Sequence, residues 1–238
     1  MALRGYQALT FDCYGTLIDW ESGIYTALRP LLTRAGQDLS KDAALGVFAT
    51  HEVAQQAATP DMTYAALLAV VHARLATAWG VTPDAAEDAR FGGSIGDWPA
   101  FPDTAEALRY LKQHFKLVIL SNVDRDSFAA SNKRLGVTFD AIYTAQDIGS
   151  YKPDRRNFDY LLARLAEQGI EKAAILHVAQ SLFHDHVPAN TVGLASAWID
   201  RRHDQQGWGA TAPVHGDVRY DYRFLSLQAL ADAHRAGG

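Results

Sequence analysis

Five short apolar runs in this chain each stop abruptly at polar residues, and segments of helical periodicity lie between most of them. The runs are residues 6 to 12, Lys116 to Leu120, Phe139 to Thr144, Ala174 to Ala179 and Gly193 to Trp198. Continuous apolar character suits strands buried on both faces, as in a parallel sheet covered by helices. Alternating strands and helices therefore predict an α/β fold, a doubly wound parallel sheet with a Rossmann-like core. In such a sheet the strand carboxyl ends converge on one edge, where ligands bind.

One stretch interrupts the alternation. From Trp20 to Trp98 no convincing strand occurs, and Tyr64, Leu67, Leu68, Val71, Leu75 and Trp79 keep helical spacing until Gly80. Thr82-Pro83 predicts a further helix with proline at its first position. Thr16 to Asp19 has the form of a capping box, and the helix it opens carries Tyr25, Leu28, Leu31, Leu32 and Ala35 on one face, with Gly36 at its end. The block reads as an inserted helical cap, dividing the chain into a core (1–19 and 99–238) and a cap (20–98). Gly92 to Asp97 is a hinge candidate, and Trp20 and Trp98 bracket the insertion. Past it, Pro102 to Glu106 predicts another helix cap.

Four polar clusters fall where strands end: Asp12 to Thr16, Ser121-Asn122, Lys152-Pro153, and Gln180-Ser181 with Asp185. They offer, in order, an acid, a hydroxyl, a lysine and a second acid, with Asp12 the expected nucleophile. His184 and His186 diverge in either an extended or a helical backbone, so with His177 they predict no metal site. Cys13 has no histidine beside it in the motif and reads as a small buried hydrophobe. Phe158 falls in phase with Leu161, Leu162 and Leu165 and reads as helix core.

The net charge of -5, with 22 basic residues spread along the chain, leaves no positive stripe for nucleic acid. No apolar run approaches the roughly 20 residues of a membrane span, and no leader pattern precedes Asp12. A single cysteine permits no internal disulfide. A cytoplasmic enzyme acting on a small molecule is the expectation.

The four clusters, in this order, resemble the motifs of the haloacid dehalogenase superfamily: Asp12-Cys-Tyr-Gly-Thr16, Leu120-Ser121-Asn122, Tyr151-Lys152-Pro153-Asp154, and Val178-Ala-Gln180-Ser181-Leu-Phe-His-Asp185. The resemblance covers the whole chain, inserted cap included. Phosphatases of that superfamily carry a second aspartate where this chain has Tyr14, and a magnesium-binding aspartate where it has Gln180. A phosphate dianion meeting an anionic nucleophile needs a divalent cation, so both replacements favour a lighter electrostatic task. The Asp-x-Tyr-Gly-Thr-Leu form with Ser121-Asn122 resembles the type II L-2-haloacid dehalogenases.

That resemblance implies metal-independent hydrolysis of a short (S)-2-haloalkanoic acid through an ester on Asp12, with no cofactor and a possible homodimer. It implies that Thr16 and Ser121 position the nucleophile or substrate, Lys152 compensates charge, and Asp185 holds Lys152 and assists water. Tyr14, Asn122, Gln180 and Ser181 are the expected substrate-binding set. The chain departs from those dehalogenases at Phe158, Gln180 and Leu182, and at the cap arginine expected near position 43, where it reads Lys41-Asp-Ala-Ala. His51, Arg34 and Arg74 are the candidate replacements. Two other readings are a magnesium-dependent phosphatase, with weak ion binding at Asp185 and the Tyr14 carbonyl, and an acid-binding protein that has lost turnover.

Overall fold

The computed structural model describes residues 2–214 and 216–237. Strand β1 (Ala8–Phe11) is followed by four helices, α1 (Trp20–Arg34), α2 (Lys41–Ala58), α3 (Tyr64–Ala78) and α4 (Ala85–Gly92), and by a 3-10 turn at Gly93–Asp97. Then come α5 (Thr104–Leu111), β2 (Lys116–Ser121), α6 (Arg125–Asn132), β3 (Ala141–Thr144), α7 (Ala145–Ile148), α8 (Arg156–Ala166) and β4 (Ile175–Ala179). A π turn at Leu182–His186 enters α9 (Val187–Val192), and β5 (Ala195–Ile199), β6 (Tyr222–Phe224) and α10 (Leu227–Arg235) complete the described elements.

The six strands form one parallel sheet in the order β3-β2-β1-β4-β5-β6. Strand order reverses at β1 and β4, so the crevice for a ligand lies beyond their carboxyl ends. Period two sends alternate side chains to opposite faces: Val118 and Leu120 join Phe158, Leu161 and Leu165 of α8, while Leu117 and Ile119 join the larger core beneath α5, α6 and α10. Phe158 is fully buried there, as its phase predicts.

Local details differ from expectation for traceable reasons. The Thr16 hydroxyl turns back to Asp12, so no capping box forms; Asp19 caps α1 instead, accepting from the Ser22 N–H at 3.1 Å. Pro83 precedes α4, whose cap is Asp84, accepting from the Ala86 and Glu87 N–H groups. Asp103 does not cap α5 with its side chain, because its carboxylate accepts from Leu227, Gln228 and Arg201 and so ties α10 to the core. Strand β6 has only three residues and lay below the length at which a period shows in sequence.

The inserted helices are seated by specific contacts. Tyr151 donates to the Met62 carbonyl at 2.6 Å, and Asp124 accepts from the Ala65 N–H at 3.1 Å. Arg202, beyond β5, pairs with Glu21 of α1 and Asp42 of α2. A Cβ on Gly23 would lie 2.3 Å from the Trp98 ring, so glycine there is what lets Trp98 pack against α1. The Gly92 to Asp97 hinge candidate is pinned: Arg134 and Ser131 donate to the carbonyls of Gly96 and Ile95, and a Cβ on Gly92 would meet the Ala65 carbonyl oxygen at 2.4 Å.

Candidate active site

β1 ends at Phe11 and delivers Asp12 to the sheet edge; Gly15, at φ +94°, then reverses the chain. Only glycine adopts that backbone readily, and the reversal folds Thr16 back so that its hydroxyl donates to Asp12 Oδ2 at 2.7 Å. Thr16 also accepts the Gln180 N–H at 2.9 Å, which joins the ends of β1 and β4. Lys152 approaches from the loop before α8. Its Nζ reaches Asp12 Oδ1 at 2.9 Å, Asp185 Oδ1 at 2.6 Å and the Leu120 carbonyl at 3.0 Å. An ammonium has three hydrogens, and all three are committed.

Behind this triad, His177 Nε2 lies 2.9 Å from Asp185 Oδ1, and its Nδ1 lies 2.8 Å from the Thr10 hydroxyl. A carboxylate only accepts, so Nε2 carries the proton. Burial opposes the charge on Asp185, but the Lys152 ammonium and His177 outweigh it and hold its carboxyl well below the usual range. Burial likewise opposes the Lys152 charge and is outweighed by Asp12 and Asp185, so its ammonium persists above its ordinary range. For Asp12 burial wins, and its carboxyl is pushed up against the pull of Lys152 and Thr16.

A small cavity of about 40 Å³ lies above Asp12, with room for roughly three waters by that measure. Its floor is Asp12, Tyr14, Asn122, Lys152, Ser181 and Asp185, and its roof carries Trp20, Glu52, Gln56 and Tyr64 from the inserted helices. His184 and Thr211 close the side. Tyr14 presents its ring, because its hydroxyl is turned to Ser127 and Ser131 on α6. Burial pushes the Tyr14 phenol further up, so it is no proton donor at neutral pH.

Some expected residues sit elsewhere. Asn122 lines the cavity, yet its amide is spent on the Lys152 backbone, donating to the carbonyl at 2.9 Å and accepting the N–H at 2.6 Å. It positions Lys152 instead of offering a free amide to substrate. The Gln180 side chain faces a neighbouring cleft with Gly15, Trp20 and Arg201, not the Asp12 cavity; Leu182 faces a third, with Trp198. Ser121 ends β2 with a buried, unpartnered Oγ but does not line the cavity. None of His51, Arg34 and Arg74 reaches it: Arg34 is engaged with Glu87 and Thr82, and Arg74 is exposed on α3.

The residues that sequence reasoning missed are Glu52, Tyr64, His184 and Thr211 around the cavity and His177 beneath it. A signal existed for one of them, since Glu52, Gln55 and Gln56 repeat at i, i+3, i+4 on α2 and are all buried.

A magnesium ion fits these residues poorly. The Lys152 ammonium already stands between the two carboxylates that would hold it, and among the described residues no three His, Cys, Asp or Glu side chains gather as a metal site.

Over 215 residues the chain is 24% identical to an (S)-2-haloacid dehalogenase of Pseudomonas putida, with 84% of this chain and 87% of that protein covered. Its fold is similar to that of the L-2-haloacid dehalogenase from Xanthobacter autotrophicus, at TM-score 0.78 and 20% identity over 98% of this chain and all of that one, 100%. It is also similar to the putative HAD-hydrolase YfnB from Bacillus subtilis, described as bound to magnesium, at TM-score 0.74 and 20% identity over 95% and 97% of the two chains. The family model for haloacid dehalogenase-like hydrolases matches residues 6–179, a span that runs through β4 and holds Asp12, Thr16, Ser121 and Lys152; the chain belongs to that family.

Proposed function

We propose that this hydrolase removes halide from short (S)-2-haloalkanoic acids through an ester on Asp12, without a metal. The supporting observation is that the two positions where phosphatases carry acids hold Tyr14, whose hydroxyl is turned to Ser131 on α6, and Gln180, whose side chain faces a neighbouring cleft, so Lys152 is the cation beside Asp12 and Asp185.

In this reading Asp12 attacks the carbon bearing the halogen from the side opposite the halogen. The new C–O bond forms as the C–X bond breaks, and X⁻ departs. Water then adds to the Asp12 carbonyl, the acyl C–O bond breaks, and a 2-hydroxy acid leaves with Asp12 restored. Thr16 and Lys152 hold one carboxylate oxygen each, so the nucleophile is oriented before substrate arrives. Lys152 also opposes the negative charge of an incoming carboxylate, and Asp185 with His177 keeps Lys152 in place.

The test is halide release from (S)-2-chloropropionate in the presence of EDTA. The natural protein is expected to release chloride and to show a covalent adduct on Asp12 by mass spectrometry. Asp12→Asn is expected to lose at least roughly a thousandfold in kcat, as removal of a nucleophile does elsewhere. Failure to release halide from any short 2-haloacid, or release abolished by EDTA, would overturn the proposal.

A further inference from the structure

The roof of the cavity contains an acid where a cation was expected. Glu52, on α2, is 1% exposed and lines the same cavity as Asp12. The Tyr64 hydroxyl donates to its Oε1 at 2.6 Å, while its Oε2 is buried with no hydrogen-bond partner. Tyr64 therefore settles which oxygen accepts, and the other is left to carry the carboxyl proton in a residue that lines the cavity.

The surroundings favour that protonated form. Burial pushes the Glu52 carboxyl up to about 7, against the opposing pull of Tyr64. No cation from the roof offsets its charge: Lys41 is turned to Ser22, and Arg34 to Glu87. On the floor, Lys152 is saturated by Asp12 and Asp185. His184, at the side, is held neutral, since burial pushes its imidazole down to about 4. The other titratable neighbours, Tyr14 and Tyr151, are phenols pushed up by burial, and Asp124 and Asp61 beyond them add only negative charge.

We infer that Glu52 is the hydrogen-bond donor to the leaving group, and that the site suits halides that are poor leaving groups, fluoride above all. The inference rests on the dehalogenase reading. Displacement by Asp12 on the floor drives the leaving group toward the roof, where Glu52 waits. Chloride and bromide leave as stable anions, whereas fluoride is the most basic halide and the strongest hydrogen-bond acceptor, so it gains most from an acid at that wall. As the Asp12 C–O bond forms and the C–F bond breaks, fluoride departs as the anion, stabilised by a hydrogen bond from the Glu52 O–H, and the proton stays on Glu52. When water cleaves the ester, one of its protons ends on the product hydroxyl and the other passes to solvent.

The experiment compares kcat/KM for fluoroacetate and chloroacetate in the natural protein, in Glu52→Gln and in Tyr64→Phe. Because it is a ratio, the result is independent of how much of each variant folds. Glu52→Gln is expected to lower the fluoride-to-chloride ratio at least about tenfold. Tyr64→Phe removes a donor that favours the carboxylate, so the alkaline limb of fluoride release is expected to move to higher pH. An unchanged ratio in Glu52→Gln, or chloride release without fluoride release by the natural protein, overturns the inference alone. Release of neither halide overturns the dehalogenase reading and this inference with it.

Discussion

Two buried carboxyl groups face one cavity, and their partners make them opposites. Asp12 on the floor is held by an ammonium and a hydroxyl, one on each oxygen. Glu52 on the roof has a phenol on one oxygen and nothing on the other. The floor is a network drawn from three loops at the sheet edge and centred on Lys152, with both Asp12 oxygens held and only Asp185 Oδ2 left without a partner. On the roof the unpartnered oxygen belongs to the very carboxyl that lines the cavity, and it costs stability until a ligand satisfies it. Orientation of the nucleophile resides in the first region and discrimination between substrates in the second.

Removing the centre of the floor should separate the regions most sharply. Lys152→Met leaves Asp12 and Asp185 buried without their shared cation, and breaking such a buried network typically costs about 3–5 kcal/mol. Turnover should fall below detection, and denaturant unfolding should move to a markedly lower midpoint. A variant of natural stability would show that the network is not what holds the sheet edge.

Asp185 and Glu52, one from each region, should respond oppositely to pH. Asp185 has its carboxyl depressed in the folded state, so its stabilisation is present above the ordinary carboxylate range and is lost as pH falls. Glu52 has its carboxyl raised by burial to about 7, from the ordinary 4.5. Its contribution is therefore complete below the unfolded value and is lost as pH rises toward and past 7. The difference is worth at most about 3 kcal/mol. Glu52→Leu removes the titration, so between pH 5 and pH 8 the variant should lose less stability than the natural protein, with chemical denaturation at both pH values as the measurement. Equal losses would mean that Glu52 does not titrate in this window.

The smallest effect is expected at the seam between the regions. Gly23→Ala places a methyl group against Trp98, an overpacking that costs about 1–3 kcal/mol and should lower Tm by a few degrees. Turnover per folded molecule should change little, since neither residue lines the Asp12 cavity.

The floor was legible in the sequence because strand ends announce themselves: an apolar run stops, and the next polar residues must lie at the sheet edge. Asp12, Lys152 and Asp185 were found that way. The role of Asn122 was not, since nothing in a Ser-Asn pair says whether its amide reaches a ligand or the Lys152 backbone. The roof was nearly illegible, because a helix period shows which face is buried but not what that face is buried against. Glu52 is a polar residue on a buried face, and only the placement of α2 over Asp12 makes it part of a site. His177 was hidden for a related reason: a histidine within a strand, surrounded by apolar residues, reads as core until its partner Asp185 is in view.

The saturation of Lys152 has a consequence for the medium in which the protein works. With all three ammonium hydrogens held by protein oxygens, and no other cation among the described residues lining the cavity, dissolved chloride finds no foothold beside Asp12. Product inhibition by halide should therefore be weak, and turnover should persist in brine that would fill a guanidinium-lined pocket.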